Sequence, residues 1–267
     1  VGAGLKTDLD VNLSASDISR FSAMAGQELD GATSLKLQGS VTPMSGAFQL
    51  DAVGTTDDII TGILQADALL VGRTDLKVSA LRNVNGTFLR DIELSNASLL
   101  LAGSAEFHSS STGRVDADVV LRDIATVLPD YSGRVALKGS AIQSDAGWRI
   151  DLDGDGPYNA KVALDGLATG PQAVIDFKAH VPEISSFAKG ITGPLTAEGT
   201  LRQTAEGWRV NTNAAGPYRS NATVSGAVTP EIDVAFTLAL PTVQPLVRQF
   251  SGPLRATGQL RQTDTGF

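Results

Sequence analysis

Asp151, Asp153 and Asp155, with Gly156 directly after them, come nearest to a chemical motif in this 267-residue chain. Oxygens at positions 1, 3 and 5 and a glycine at 6 open the calcium loop of an EF-hand. That loop needs a bidentate glutamate at position 12, where this chain has Val162, and sixty residues on the same places hold Asn211, Asn213 and Ala215. Alternating carboxylates are also what a solvated strand face presents, so no metal site is expected. His108 and His180 are the two histidines, and neither has a second histidine or a ligand-like pair of carboxylates near it in sequence. No Gly-x-Ser-x-Gly elbow, phosphate-binding glycine loop or His-Glu-x-x-His motif occurs. The reading is therefore of a non-enzyme with no catalytic residue and no cofactor.

Composition narrows the remaining classes. Hydrophobic residues make up 42% of the chain, which excludes a disordered polymer. Aromatics are 5% and glycines number 28, so buried faces must be lined by modest aliphatic groups. A net charge of -8 without a basic cluster argues against a nucleic-acid partner, because phosphate binding needs grouped Lys and Arg. The absence of cysteine excludes disulfide staples and thiol nucleophiles and is compatible with an oxidising compartment. No stretch reaches the roughly 18 to 20 apolar residues of a membrane span. The ends carry no leader pattern, so the chain reads as a slice of a longer protein.

A repeat gives the elements that would position any site. The run Ser132, Gly133, Arg134, Val135, Ala136, Leu137, Lys138, Gly139 returns from Thr192 to Gly199 and again from Ser251 to Gly258, at offsets of 60 and 59. Gly147-Trp148-Arg149 returns as Gly207-Trp208-Arg209, and Gly156-Pro157-Tyr158 as Gly216-Pro217-Tyr218; Gly266 and Phe267 begin a third copy. A weaker form of the block lies at 29–39. The expected frame is 1–131 as the first repeat or repeats, enlarged by extra strands at about 52–103, then repeats at 132–191 and 192–250 and a truncated one at 251–267, all in one continuous structural unit.

Within a block, apolar and polar residues alternate with period two, the signature of strands with one greasy face. Trp148, Ile150 and Leu152 alternate with Arg149, Asp151 and Asp153, and Tyr158, Val162 and Leu164 continue the apolar set. Ile175 and Phe177 follow, then Leu195 and Leu201, Trp208 and Val210, Tyr218 and Val224, and finally Val234, Phe236 and Leu238. Upstream the same face collects Leu9, Val11, Leu13, Leu35 and Leu37, then Leu99, Leu101, Val119, Leu121, Val135 and Leu137. Turn residues such as Asp145-Ala146-Gly147 separate the runs and favour antiparallel neighbours. The Gly-Pro-Tyr copies read as turn punctuation with a tyrosine that starts a strand. Short segments of helical spacing mark block boundaries, Ile18 and Phe21 after Ser16 as an N-cap, and Ile184 and Phe187 after Glu183.

An antiparallel sheet with one apolar face must have that face covered. With few helices available, the fold class expected is all-β: an elongated, curled antiparallel sheet, a β-taco or half-open solenoid-like groove, built from four-strand repeats of about sixty residues with short helical inserts. These apolar residues would then line a groove able to hold acyl chains.

The recurring glycine-apolar alternation, the helical inserts between four-strand blocks, and the run Asp58, Ile63, Ala66, Asp67, Leu69, Gly72, Thr74 resemble the TamB family of the AsmA-like group. The resemblance implies a periplasmic segment of an inner-membrane-anchored protein of the Gram-negative envelope, with the anchor outside this chain. It also implies phospholipid as cargo, a TamA-like outer-membrane barrel insertase as partner of the parent protein's C-terminal part, and a role in outer-membrane protein assembly. The fragment is expected to be monomeric. The competing reading is a repetitive β-structured adhesin or passenger stalk with a sealed core.

Overall fold

A computed structural model describes residues 5–25, 28–62, 64–187, 190–245 and 249–262. Ile63, Gly266 and Phe267, used above, lie outside the described residues, and so does the side chain of Phe21. The chain is all-β, with sixteen antiparallel strands whose order in the sheet is their order in sequence. It divides into two compact units, 1–143 and 144–267.

The first unit carries β1 (Thr7–Ala15), β2 (Asp30–Thr42), β3 (Ala47–Ile60), β4 (Arg73–Asn83), β5 (Gly86–Ser95), β6 (Leu99–His108), β7 (Gly113–Leu121) and β8 (Val135–Ser144). The second carries β9 (Gly147–Asp155), β10 (Lys161–Leu167), β11 (Val174–Val181), β12 (Leu195–Thr204), β13 (Gly207–Gly216), β14 (Ser220–Ala227), β15 (Asp233–Leu240) and β16 (Leu254–Arg261). Each unit is an unclosed, curled meander: β1 pairs with β2 and β16 with β15. Gly166 (φ 146°) and Gly226 (φ 152°) stand sixty apart, and at each a Cβ would sit 2.2 Å from the carbonyl oxygen of Val174 or Asp233. That backbone geometry is open to glycine alone.

Helical segments punctuate the strands at Ser19–Phe21 with α1 (Ser22–Ala25), at α2 (Leu64–Leu69), at Ile124–Thr126 and at Ile184–Ser186. The stretch 52–103, read above as an enlargement, holds the end of β3, α2, β4, β5 and the start of β6. β4 to β7 follow α2 just as β8 to β11 follow Ile124–Thr126. At the first boundary the cap differs from the expectation. Asp17, not Ser16, holds the segment, its carboxylate accepting from the Ser19 amide at 2.8 Å.

The interior is thin. Seven hydrophobic residues are buried among the described ones: Ala52, Leu99, Ala105, Leu121, Ala173, Val234 and Leu240. The accessible surface, 17008 Å², compares with about 11,000 Å² for a compact protein of this mass. Most of the apolar face is half-buried among the described residues.

Candidate functional site: the apolar face

Directly opposed residues of an antiparallel pair share a face, so the strand register orders the apolar side chains into rows. In the second unit one row runs Ile150, Gly166, Ile175, Leu201, Val210, Gly226, Val234, Leu260. The next runs Leu152, Leu164, Phe177, Gly199, Thr212, Val224, Phe236, Gly258. A third runs Gly154, Val162, Ala179, Ala197, Ala214, Ala222, Leu238, Ala256. Leu195 faces Val181 one step further along the same face. Trp148 and Trp208 stand at the opposite end of the rows, two residues before Ile150 and Val210, their amides donating to Thr169 Oγ1 and Thr229 Oγ1 at 2.9 Å each. The ring of Phe236 lies over Gly258, where a Cβ would come within 2.6 Å of it. A large side chain thus covers the residue that has none.

The first unit repeats the arrangement with larger groups. Leu13, Leu35, Gly54, Leu76, Leu94, Leu101, Val119 and Leu137 form one row. Beside it Val11, Leu37, Ala52 and Val78 stand opposite one another, and Leu9 faces Gly39. Leu99, Leu121 and Val135 continue the face on β6 to β8. The row of leucines here and the row of alanines in the second unit differ in how much room they leave. In the second unit a hollow of about 700 Å³ crosses β9 to β14 at the level of Gly154, Val162, Ala179, Ala197 and Ala214. Along Leu13, Leu35 and Gly54 the hollow is about 340 Å³.

Two of the residues assigned to the face from sequence lie elsewhere. Tyr158 and Tyr218 start no strand; each sits in a one-turn 3-10 segment, Pro157–Asn159 and Pro217–Arg219, and β10 and β14 begin after them. Positive φ at Tyr158 and Asn159, and at Tyr218 and Arg219, is the pattern of a type I′ turn. Period-two counting across the turn had placed both rings inward. Tyr158 instead packs edge-on against Phe187, with centroids 5.5 Å apart, and the Tyr218 hydroxyl lies 3.1 Å from Thr192 Oγ1.

The other face is polar and solvated. Asp151, Asp165 and Asp176 form a row across β9 to β11, and Arg149 reaches Asp165 at 2.6 Å. Asp151, Asp153 and Asp155 lie along the extended β9 rather than in a loop that could wrap an ion, and no group of metal-holding side chains occurs among the described residues. His108 stands 3.4 Å from Glu106 and edge-on to Phe88; His180 faces outward between Lys161 and Thr196.

The acidic residues at the block boundaries escaped the sequence reading. Asp123 accepts from the amides of Gly133 at 2.8 Å and Ala125 at 3.1 Å, and Glu183 from those of Gly193 at 2.9 Å and Ser185 at 3.1 Å. These amides hold both carboxyls below their usual range. The signal was available at two of the three block openings, where an acid stands ten residues before the glycine, Asp123 to Gly133 and Glu183 to Gly193; the third has Thr242 before Gly252. No helix among the described residues is long and apolar enough to cross a membrane. No family model matches the chain, and neither the curated proteins nor the solved structures give a match.

Proposed function

We propose that this chain is a non-catalytic conduit whose apolar face holds phospholipid acyl chains on their way between two membranes, as in the TamB family that its sequence resembles. The observation that carries the reading is the exposure of that face: ordered apolar rows in each unit, half-buried, with few hydrophobic residues fully enclosed. Burial of each methylene on such a row contributes about 0.8 kcal/mol, while a headgroup stays in water at the open side. Small aliphatic side chains bind many chains and select few, and weak repeated binding lets cargo move on. On this reading the chain works in the periplasm, as part of a parent protein anchored in the inner membrane. That parent meets a TamA-like barrel insertase at the outer membrane and supports protein assembly there.

Photocrosslinking in cells tests the proposal, with a reactive residue at Ile150, Phe177, Val210 or Phe236 and at the outward controls Arg149, Asp176, Asn211 and Thr237. Phospholipid is expected on the first set and not on the second. Absence of lipid at every position would overturn the conduit in favour of a stalk.

A further inference from the structure

The connector 182–194 between β11 and β12 is tied at both ends to hairpin turns that belong to other strand pairs. At its start Phe187 meets the ring of Tyr158, in the turn between β9 and β10. At its end the Thr192 amide donates to the Tyr218 hydroxyl at 3.3 Å, in the turn between β13 and β14. Gly193 beside it approaches Pro217 so closely that a Cβ would lie 3.3 Å from the proline Cβ. The two ends are fastened to each other as well. Glu183 bonds the Ser185 and Gly193 amides, the Ile184 amide donates to the Gly193 carbonyl at 3.0 Å, and the Phe187 amide to the Ile184 carbonyl at 2.8 Å.

Both tyrosines occupy the left-handed region, φ 58° and 59°, which a bulky side chain enters only when its surroundings hold it there. Each turn therefore stores strain that the strap restrains. Release of one ring frees its turn to relax, and a connector fastened internally passes the displacement to its other end.

We infer that the two ends of the connector between β11 and β12, 182–187 and 190–194, form a latched strap that couples the turn Pro157–Asn159 to the turn Pro217–Arg219 across β11 and β12, with Glu183 as the latch. Two strand pairs that share no hydrogen bond then open and close together along the connector edge of the second unit. This conformational device stands whether or not the apolar face carries lipid.

Amide hydrogen exchange by NMR on the whole chain tests it. Ala160 and Ser220, whose amides donate to the Pro157 and Pro217 carbonyls, report the two turns. Tyr158→Leu is expected to speed exchange at Ala160 and also at the distant Ser220, each by about threefold to tenfold. In a Glu183→Ala background Ser220 exchanges fast from the outset and Tyr158→Leu adds nothing. If Tyr158→Leu disturbs β10, shown by lost protection of Val162 and Leu164, Phe187→Leu removes the same ring contact from the strap side. An effect confined to residues 156–160 in either variant, with Ser220 unchanged, overturns the coupling.

Discussion

At the scale of single residues, carboxylates and glycines do more than the aliphatic groups that dominate the composition. Asp123 and Glu183 each collect two amide protons that the sheet leaves unpaired at a block boundary. Their folded pKa values lie below the ordinary ones, so the restraint is complete above the ordinary carboxylate range and is lost as pH falls through the lowered folded value. In an NMR titration the Gly133 and Gly193 amide shifts are expected to move together with these carboxyls, with midpoints below those of free Asp and Glu side chains. Midpoints at or above the ordinary carboxylate values would contradict the latch. Gly166 makes a different contribution, since its φ of 146° and the nearby Val174 carbonyl leave no space for a methyl group. Gly166→Ala is expected to lower stability by about 1–3 kcal/mol in urea unfolding, and a neutral result would show that β10 accommodates a side chain at that position.

Among elements, the strands and the turn positions were legible, and the conformation inside the Gly-Pro-Tyr turns was not. Period-two alternation is a local property, so the apolar sets on β9, β11, β13 and β15 could be read from sequence and match the rows that the register makes. The Gly-Pro-Tyr turns were read one step too far into the strand. Proline fixes its own φ but says nothing about the next residue, and the left-handed tyrosine is stabilised by Phe187, twenty-nine positions away, or by Thr192, twenty-six positions back. The 3-10 segments were foreseen by spacing at Ile184 and Phe187, while their latch depends on a glycine ten residues later coming within hydrogen-bond distance. The surface ion pairs of the polar face, Lys77 with Glu93 and Arg149 with Asp165 among them, are exposed and screened by solvent, so they add little to stability. They decorate the strands without deciding their order.

For the whole molecule the deciding quantity is how much apolar surface stays accessible. A sheet whose greasy face is half-exposed in the native state should bind an environment-sensitive apolar dye such as ANS while its tertiary packing is intact. We expect strong dye fluorescence at neutral pH together with a native near-UV signal from Trp148 and Trp208. Fluorescence that arises only as denaturant melts the near-UV signal would mean a sealed interior. The sequence by itself determined the all-β class, the sixty-residue repeat and the apolar side of most strands, those of β3 to β5 and β16 excepted, because these follow from side-chain alternation and turn residues a few positions apart. Only the tertiary structure decided that the apolar rows stay half-open, that the hollow along the alanines of the second unit is larger than the one along Leu13 and Leu35 of the first, and that the two tyrosines brace a connector. Those outcomes depend on register and on contacts between residues tens of positions apart, which no local pattern encodes.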